Sequence, residues 1–300
     1  MVQRTGLVKI ANSLSPIDKV ILIYGLTTGI WILAFFARIE NPLMLIANRF
    51  GIFALIICIT IWHSYRPSIL SDFTRHIYGI LLLSYWYGET YQLNHVLFIP
   101  FDNLFYQIDQ WAFGYQPSIE FSKQFSNKWL SELLNFGYFS YFFLNLATFL
   151  IVFIKKREDA IRSVFIVLSS FFIYYWIFII FPVIGPQFWL PETLRTVPDG
   201  FIFREGVKLV QLIGEQPTGA FPSSHCGMTI IFLVLTSKQS KLAFYIMLPI
   251  SIILIFATVY IKAHYFVDVI AGLISGLLFY YLTSKIWNIF HPSDINNGVE

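Results

Sequence analysis

"GAFPSSHCGMTIIFLVLT", residues 219–236, sets a proline, two hydroxyl side chains and a histidine against an unbroken apolar run. What such a cluster does depends on the solvent around it, and composition supplies the solvent. Of the 300 residues, 57% are hydrophobic, 19% aromatic and only 12% charged, with a mean hydropathy of +0.66. A chain of this kind lacks the polar residues to cover a water-facing surface, so it reads as an integral membrane protein. The net charge of +3 is too small to suggest a nucleic-acid partner. Two cysteines, Cys58 and Cys226, cannot make a disulfide framework and are expected as free thiols.

Crossing the hydrocarbon takes about 20 apolar residues per helix. Runs near that length, bounded by charge, proline or Trp and Tyr, lie at 20–37, 50–63, 76–91, 129–154, 161–181, 224–237, 242–260 and 264–284. The expectation is an all-α bundle of about eight transmembrane helices. The run after Lys19 has no small-residue cleavage site behind it and reads as a first helix, not a removable signal. Two long aromatic connections, 92–128 and 182–223, are expected along the membrane surface. The divisions expected are 1–125 for the N-terminal helices and aromatic loop, 126–285 for a catalytic membrane core, and 286–300 for a tail. Basic residues in short connections stay in the cytoplasm, and "KKREDAIR" at 155–162 is the strongest such anchor. Both termini are then cytoplasmic, with residues 224, 260 and 264 together on the outer face.

That face also carries the second polar cluster, "TVYIKAHYFVDVIAG", residues 258–272. Asp268 follows His264 by four residues, one helical turn, so its carboxylate is placed to accept a hydrogen bond from one ring nitrogen. A histidine so oriented is a base or a nucleophile. His225, on another segment, is placed to protonate a departing group. Ser223 and Ser224 offer hydroxyls at a helix start, where backbone N–H groups suit an anion; Ser224 reads equally as the helix cap. Lys262 reads either as a phosphate-binding cation or as a lysine reaching for headgroups. His63, His76, His95 and His291, each alone, read as well as interfacial side chains as functional ones. Glu89, Asp102 and Asp109 read as solvated or structural.

"PSSH" followed by "KAHYFVD" resembles the type 2 phosphatidic acid phosphatase (PAP2) superfamily, whose members carry a Pro-Ser-(small)-His block and a His-x-x-x-Asp block. "HYFVDVIAG", "FPVIGPQF" at 181–188 and "YFSYFF" at 138–143 are most similar to the branch of inositol-phosphorylceramide and sphingomyelin synthases. The resemblance implies a six-helix core and metal-independent phosphoryl transfer through a phosphohistidine. His264 would attack phosphorus, Asp268 would stabilise the charged ring, and His225 would protonate the leaving oxygen. Ser223, Ser224 and Lys262 would bind phosphate. A membrane lipid would be the substrate, a lipid hydroxyl the acceptor, and no cofactor is implied. The superfamily's phosphatases carry a Lys-x6-Arg-Pro block that is absent here, and Thr258 stands where they have an arginine. Arg195, Arg204 and Lys208 are candidates for the missing charge, and Gln187 stands where related transferases often have arginine.

Rival readings are a simple lipid-phosphate phosphatase, a transporter lined by the histidines, and a metal site built from His225, His264 and Asp268. The polar groups gather at one face instead of running through the bilayer, which disfavours transport. Three ligands without a fourth disfavour a structural metal.

Overall fold

The computed structural model describes residues 13–290. Among them every regular element is helical: α1 (Pro16–Ala34), α2 (Pro42–Tyr65), α3 (Ile69–Leu93), α4 (Asp102–Phe113), α5 (Pro117–Gln124), α6 (Lys128–Lys155), α7 (Arg157–Ile180), α8 (Pro186–Trp189), α9 (Ile202–Gly214), α10 (Ser224–Gln239), α11 (Lys241–Tyr260) and α12 (Phe266–Phe290). Several of the longer helices begin where the sequence offers side-chain acceptors. Ser15 and Asp18 form a capping box at α1, with Pro16 in the first turn. Asn127 caps α6 and Ser240 caps α11.

All eight expected spans occur as helices. Six of the described helices are long and apolar enough to cross a membrane: α1, α2, α6, α11 and most of α7 and α12. The chain is an integral, multi-pass membrane protein with an all-helical bundle. The other two differ for separate reasons. Helix α3 is long enough, but Ser71, Asp72, Thr74, Arg75, His76 and Glu89 make it polar. Helix α10 has only 16 residues. It lies against α6, α7, α11 and α12, with most of its side chains buried. Surrounded by protein, it needs no lipid-facing apolar length. Helix α12 continues to Phe290, into the stretch expected as a tail, and His291 lies outside the described residues.

Glycines allow α10 and α12 to touch backbone to backbone. A Cβ on Gly272 would come within 2.5 Å of the Ser223 carbonyl oxygen, and one on Gly276 would run into the Gly227 carbonyl. This crossing brings the two histidine blocks together.

The long connections fold as short helices with one polar and one apolar face. Helix α4 buries Phe105, Asp102 and Asp109 and exposes Leu104 and Trp111, while α9 buries Arg204 and Val207 and exposes Ile202, Leu209, Leu212 and Ile213. An exposed aliphatic and aromatic face of this kind suits the boundary between headgroups and acyl chains.

In the N-terminal helices, Arg49 of α2 and Glu89 of α3 form a buried bidentate pair at 2.6 and 3.0 Å. The guanidinium also donates to Thr28 Oγ1 and the Gly25 carbonyl of α1, so one side chain ties three helices. His63 meets Ser71 Oγ at 3.0 Å, and His95 meets the carbonyl of Tyr91 at 3.3 Å. His76 is bonded to the carbonyl of Asp72 at 2.5 Å. All three contacts are local. Breaking a buried pair from one side leaves the other charge without compensation, at a cost of about 3–5 kcal/mol. Arg49→Leu should therefore lower thermal stability in detergent strongly, and Arg49→Leu/Glu89→Leu should recover most of the loss. Equal destabilisation by the single and double variants would show that packing, not the charge, is what Arg49 contributes.

Candidate active site

The turn between α11 and α12 is built by Lys262, which takes the left-handed conformation at φ 70°. Its N–H returns to the Val259 carbonyl and the His264 N–H to the Thr258 carbonyl, both at 3.1 Å. A left-handed residue after a helix end is usually glycine, because a Cβ there costs about 1–2 kcal/mol. Lysine is held in it by its far end. The ammonium donates to the Ser118 carbonyl at 3.0 Å and Ser122 Oγ at 2.5 Å, both on α5, and the residue is 1% exposed. Lys262 thus ties α5 to the turn that carries His264.

His264 is buried, and its Nδ1 bonds the Ala220 carbonyl at 2.8 Å. A carbonyl only accepts, so Nδ1 carries the hydrogen and the lone pair lies on Nε2. That nitrogen is 3.4 Å from His225 Nδ1. The expected hydrogen bond from His264 to Asp268 is not formed. Asp268 Oδ2 stands 3.7 Å from Nδ1 and instead accepts the Tyr265 N–H at 2.8 Å. Asp268 sits in the first turn of α12, where a carboxylate is drawn to the free amides of the helix start, and Ala220 reaches the ring first. The acceptor is a backbone carbonyl and not the carboxylate expected from the spacing.

His225 lies in the first turn of α10 between two tyrosines of α6. Its ring centroid is 4.9 Å from that of Tyr138 and 4.5 Å from that of Tyr141. Ser223, not Ser224, is the helix cap: its Oγ accepts the Cys226 N–H at 3.3 Å, and its own N–H donates to the Asp268 carbonyl at 3.0 Å. Ser224 is the first helical residue, nearly buried beside it. Cys58 and Cys226 are both free thiols.

Around this pair runs a chain of polar groups in which Tyr138 and Gln187 belong to the quoted motifs and Gln211 and Glu215 do not. Tyr138 donates to Glu215 Oε1 and Gln187 Nε2 to Glu215 Oε2, each at 2.5 Å, while Gln211 Nε2 donates to Gln187 Oε1 at 2.7 Å. Gln187 also binds the Lys262 carbonyl through its N–H at 2.8 Å. Burial holds the Glu215 carboxyl above the usual range. Burial pushes His264 down to about 4, opposed by the Ala220 bond and the Glu215 charge. Burial and the neighbouring Arg204 charge bring Lys262 to about 8.

The three candidate cations of the outer loop separate clearly. Arg195 donates to the Leu190 carbonyl and Lys208 pairs with Glu205 at 2.6 Å, both at exposed positions. Arg204 is buried, and its Nε and Nη1 have no hydrogen-bond partner. Orphan guanidinium donors beside a second buried cation are costly unless an anion joins them.

Asp102 and Asp109 of α4 are buried and structural. Asp102 accepts the N–H groups of Ile184 and Gly185 at 2.9 and 2.8 Å and the Tyr265 hydroxyl at 3.1 Å. Asp109 accepts those of Phe266 and Val267 at 2.7 and 3.0 Å, capping α12 from another helix. Among the described residues no three His, Cys, Asp or Glu side chains gather as a metal-ligand set.

Residues 106–282 match the PAP2 superfamily, more than half of the chain, and the chain belongs to that superfamily. A PA-phosphatase related-family protein of Dictyostelium discoideum is 33% identical over 133 residues, which are 41% of this chain and 24% of that protein. The match therefore spans about a quarter of the relative's length. No solved structure matches the chain. The match begins in α4, so the aspartates that hold the site lie on both sides of its edge.

Asp109→Ala should expose two unpaired amides at the start of α12 and lower stability by about 0.5–2 kcal/mol, the range for a lost helix cap. Asp109→Asn, which keeps one acceptor, should lose less. Thermal unfolding of the two variants in one detergent checks the order.

Proposed function

We propose that the chain is a lipid phosphotransferase that moves a phosphate-bearing headgroup to a lipid hydroxyl through a phosphohistidine on His264. The observation that carries this reading is the orientation of the pair: His264 Nε2, with its lone pair, faces His225 while Nδ1 is held by Ala220. In the first step Nε2 attacks phosphorus and the P–O bond to the leaving alcohol breaks. His225 gives that oxygen a proton. In the second step the acceptor hydroxyl loses its proton to His225 as its oxygen takes the phosphorus from His264. Arg204 and the free amides at the start of α10 would bind the charge that develops on the phosphoryl oxygens, and Lys262, its ammonium held by Ser118 and Ser122, would add positive potential. Transfer is favoured by the resemblance of "HYFVDVIAG" and "FPVIGPQF" to the sphingolipid synthases. Hydrolysis, with water in place of the acceptor, is favoured by the name of the Dictyostelium relative.

Incubation with labelled phosphatidic acid, phosphatidylinositol and phosphatidylglycerol, with and without ceramide, separates the two. An acceptor-dependent lipid product is expected; free phosphate alone would make the enzyme a phosphatase. His264→Ala should abolish labelling of the protein by a phosphate-labelled substrate. His225→Ala should retain turnover of a nitrophenyl substrate, whose leaving group needs no proton. Loss of wild-type activity on chelation would move the metal alternative ahead. Arg204→Gln should lower turnover about 10²–10³-fold with the fold intact, as loss of one donor to a developing anion does.

A nucleophilic imidazole must be neutral, so activity should fall on acidification only as pH approaches the depressed value of about 4 for His264. An acidic limb near the ordinary histidine value of about 6.5 would show that the ring is not held as described. The reading also places both termini in the cytoplasm and the histidines outside. A cysteine introduced at Asp199 should react with an impermeant thiol reagent added to intact cells, and protection would invert the topology.

A further inference from the structure

A second polar cavity, of about 240 Å³, lies among the start of α7, the end of α10 and α12. It is at the opposite end of the bundle from the histidines. Ser223 caps one end of α10 and Gln239 closes the other, 16 residues away, or about 24 Å at 1.5 Å per residue. Lys156, Arg162 and Lys238 line it with Asp159, the one carboxylate among the described residues there. That carboxylate is already engaged, by Lys156 at 3.2 Å and by Gln239 Nε2 at 3.0 Å. Lys238 donates to the Tyr280 hydroxyl and sits 5.0 Å over its ring, which points its charge along the cavity wall. Arg162 has no carboxylate partner among the described residues, and its Nε is buried without a hydrogen bond. The amide end of α7 adds positive potential on the same side. The negative end of α10 is answered by Lys238 in its last turn.

The geometry points to a binding site for a phosphate-bearing anion in this cavity, distinct from the site at His225 and His264. Two cations without a carboxylate partner among the described residues, one of them with an unbonded Nε–H, are the groups that a phosphate satisfies, Arg in fork geometry and Lys as a point charge. The volume is below the roughly 300–1,000 Å³ of pockets for drug-sized ligands, and suits a headgroup or a free phosphate. The cavity opens where α7 begins and α10 ends, at the depth where acidic headgroups meet basic residues flanking membrane helices. Both sources present the same chemistry. The inference does not rest on the reaction proposed for the histidines.

The test uses full-length, delipidated protein in detergent, in the His264→Ala background so that no probe is consumed. Native mass spectrometry counts bound short-chain phosphatidic acid, with inorganic phosphate and phosphatidylcholine as the other arms. Arg162→Gln/Lys238→Gln should lose one bound phosphatidic acid, or weaken it at least tenfold, while Lys285→Gln, an exposed cation at the same end, should change nothing. Asp159→Asn, which removes the only described carboxylate, should tighten binding and serves if the double variant does not fold. Competition by inorganic phosphate would assign the site to the free anion; displacement by neither phosphate nor phosphatidylcholine would assign it to the acidic lipid. Unchanged stoichiometry and affinity in the double variant, or equal loss in Lys285→Gln, would overturn the inference.

Discussion

One backbone hydrogen bond joins the two halves of the candidate site: the Ser223 N–H to the Asp268 carbonyl, 3.0 Å. It forms only because α10 and α12 cross with glycines at the contact, so that the helix bearing His225 and the helix following His264 meet without side chains between them. Everything else at the site is arranged around that fixed distance. Ala220, directly before the cis bond at Phe221–Pro222, presents its carbonyl to His264, and Ser223 turns its hydroxyl back to start α10. Packed interiors transmit small displacements, so a shift at the crossing would separate the two rings directly.

Around this contact the chain meets a demand that hydrocarbon imposes everywhere: each buried polar group needs an internal partner. In the N-terminal helices the charged groups are paired, Arg49 with Glu89 and Asp18 with Arg75 and Tyr78, although Tyr24 Oη, Arg75 Nε and Trp86 Nε1 are buried without a partner. At the candidate site the solution is left open. Arg204 has donors without acceptors and Asp268 Oδ1 is buried without a donor. Closed pairs hold helices together, whereas open ones mark where a further charge is accommodated.

The histidine blocks were legible in the sequence because each is local: a few residues whose spacing fixes their side of a helix. Helix positions were legible for the same reason, since apolar length is a property of a segment. What could not be read depends on groups far apart in the chain or on the backbone itself. Asp102 and Asp109 act on residues 82 to 163 positions away, and nothing in "FDNLFYQIDQW" tells a solvated aspartate from a cap for a distant helix. The Ala220 carbonyl that replaced Asp268 as the ring's acceptor exists in every residue and has no signature. Lys262 was read by its charge, and its ammonium direction follows from a left-handed turn that sequence suggests only when glycine occupies it. The 16-residue α10 fell short of a span because burial by neighbours, invisible in one segment, relieves the need for length.

At 3.7 Å from Nδ1, Asp268 is still close enough to serve the proposed chemistry. Ala220 fixes the tautomer while burial keeps the ring neutral, and the carboxylate stands nearby with one oxygen unpartnered. When Nε2 bonds to phosphorus the ring becomes cationic, and only then does the attraction to Asp268 reach full strength. An interaction stronger after bond formation than before it lowers the barrier rather than deepening substrate binding. The same reasoning gives the two imidazoles their order of events: buried and 3.4 Å apart, they cannot both be cationic until negative charge enters beside them. The phosphate of the substrate brings that charge, so the acid arrives at His225 only with the group it is to release.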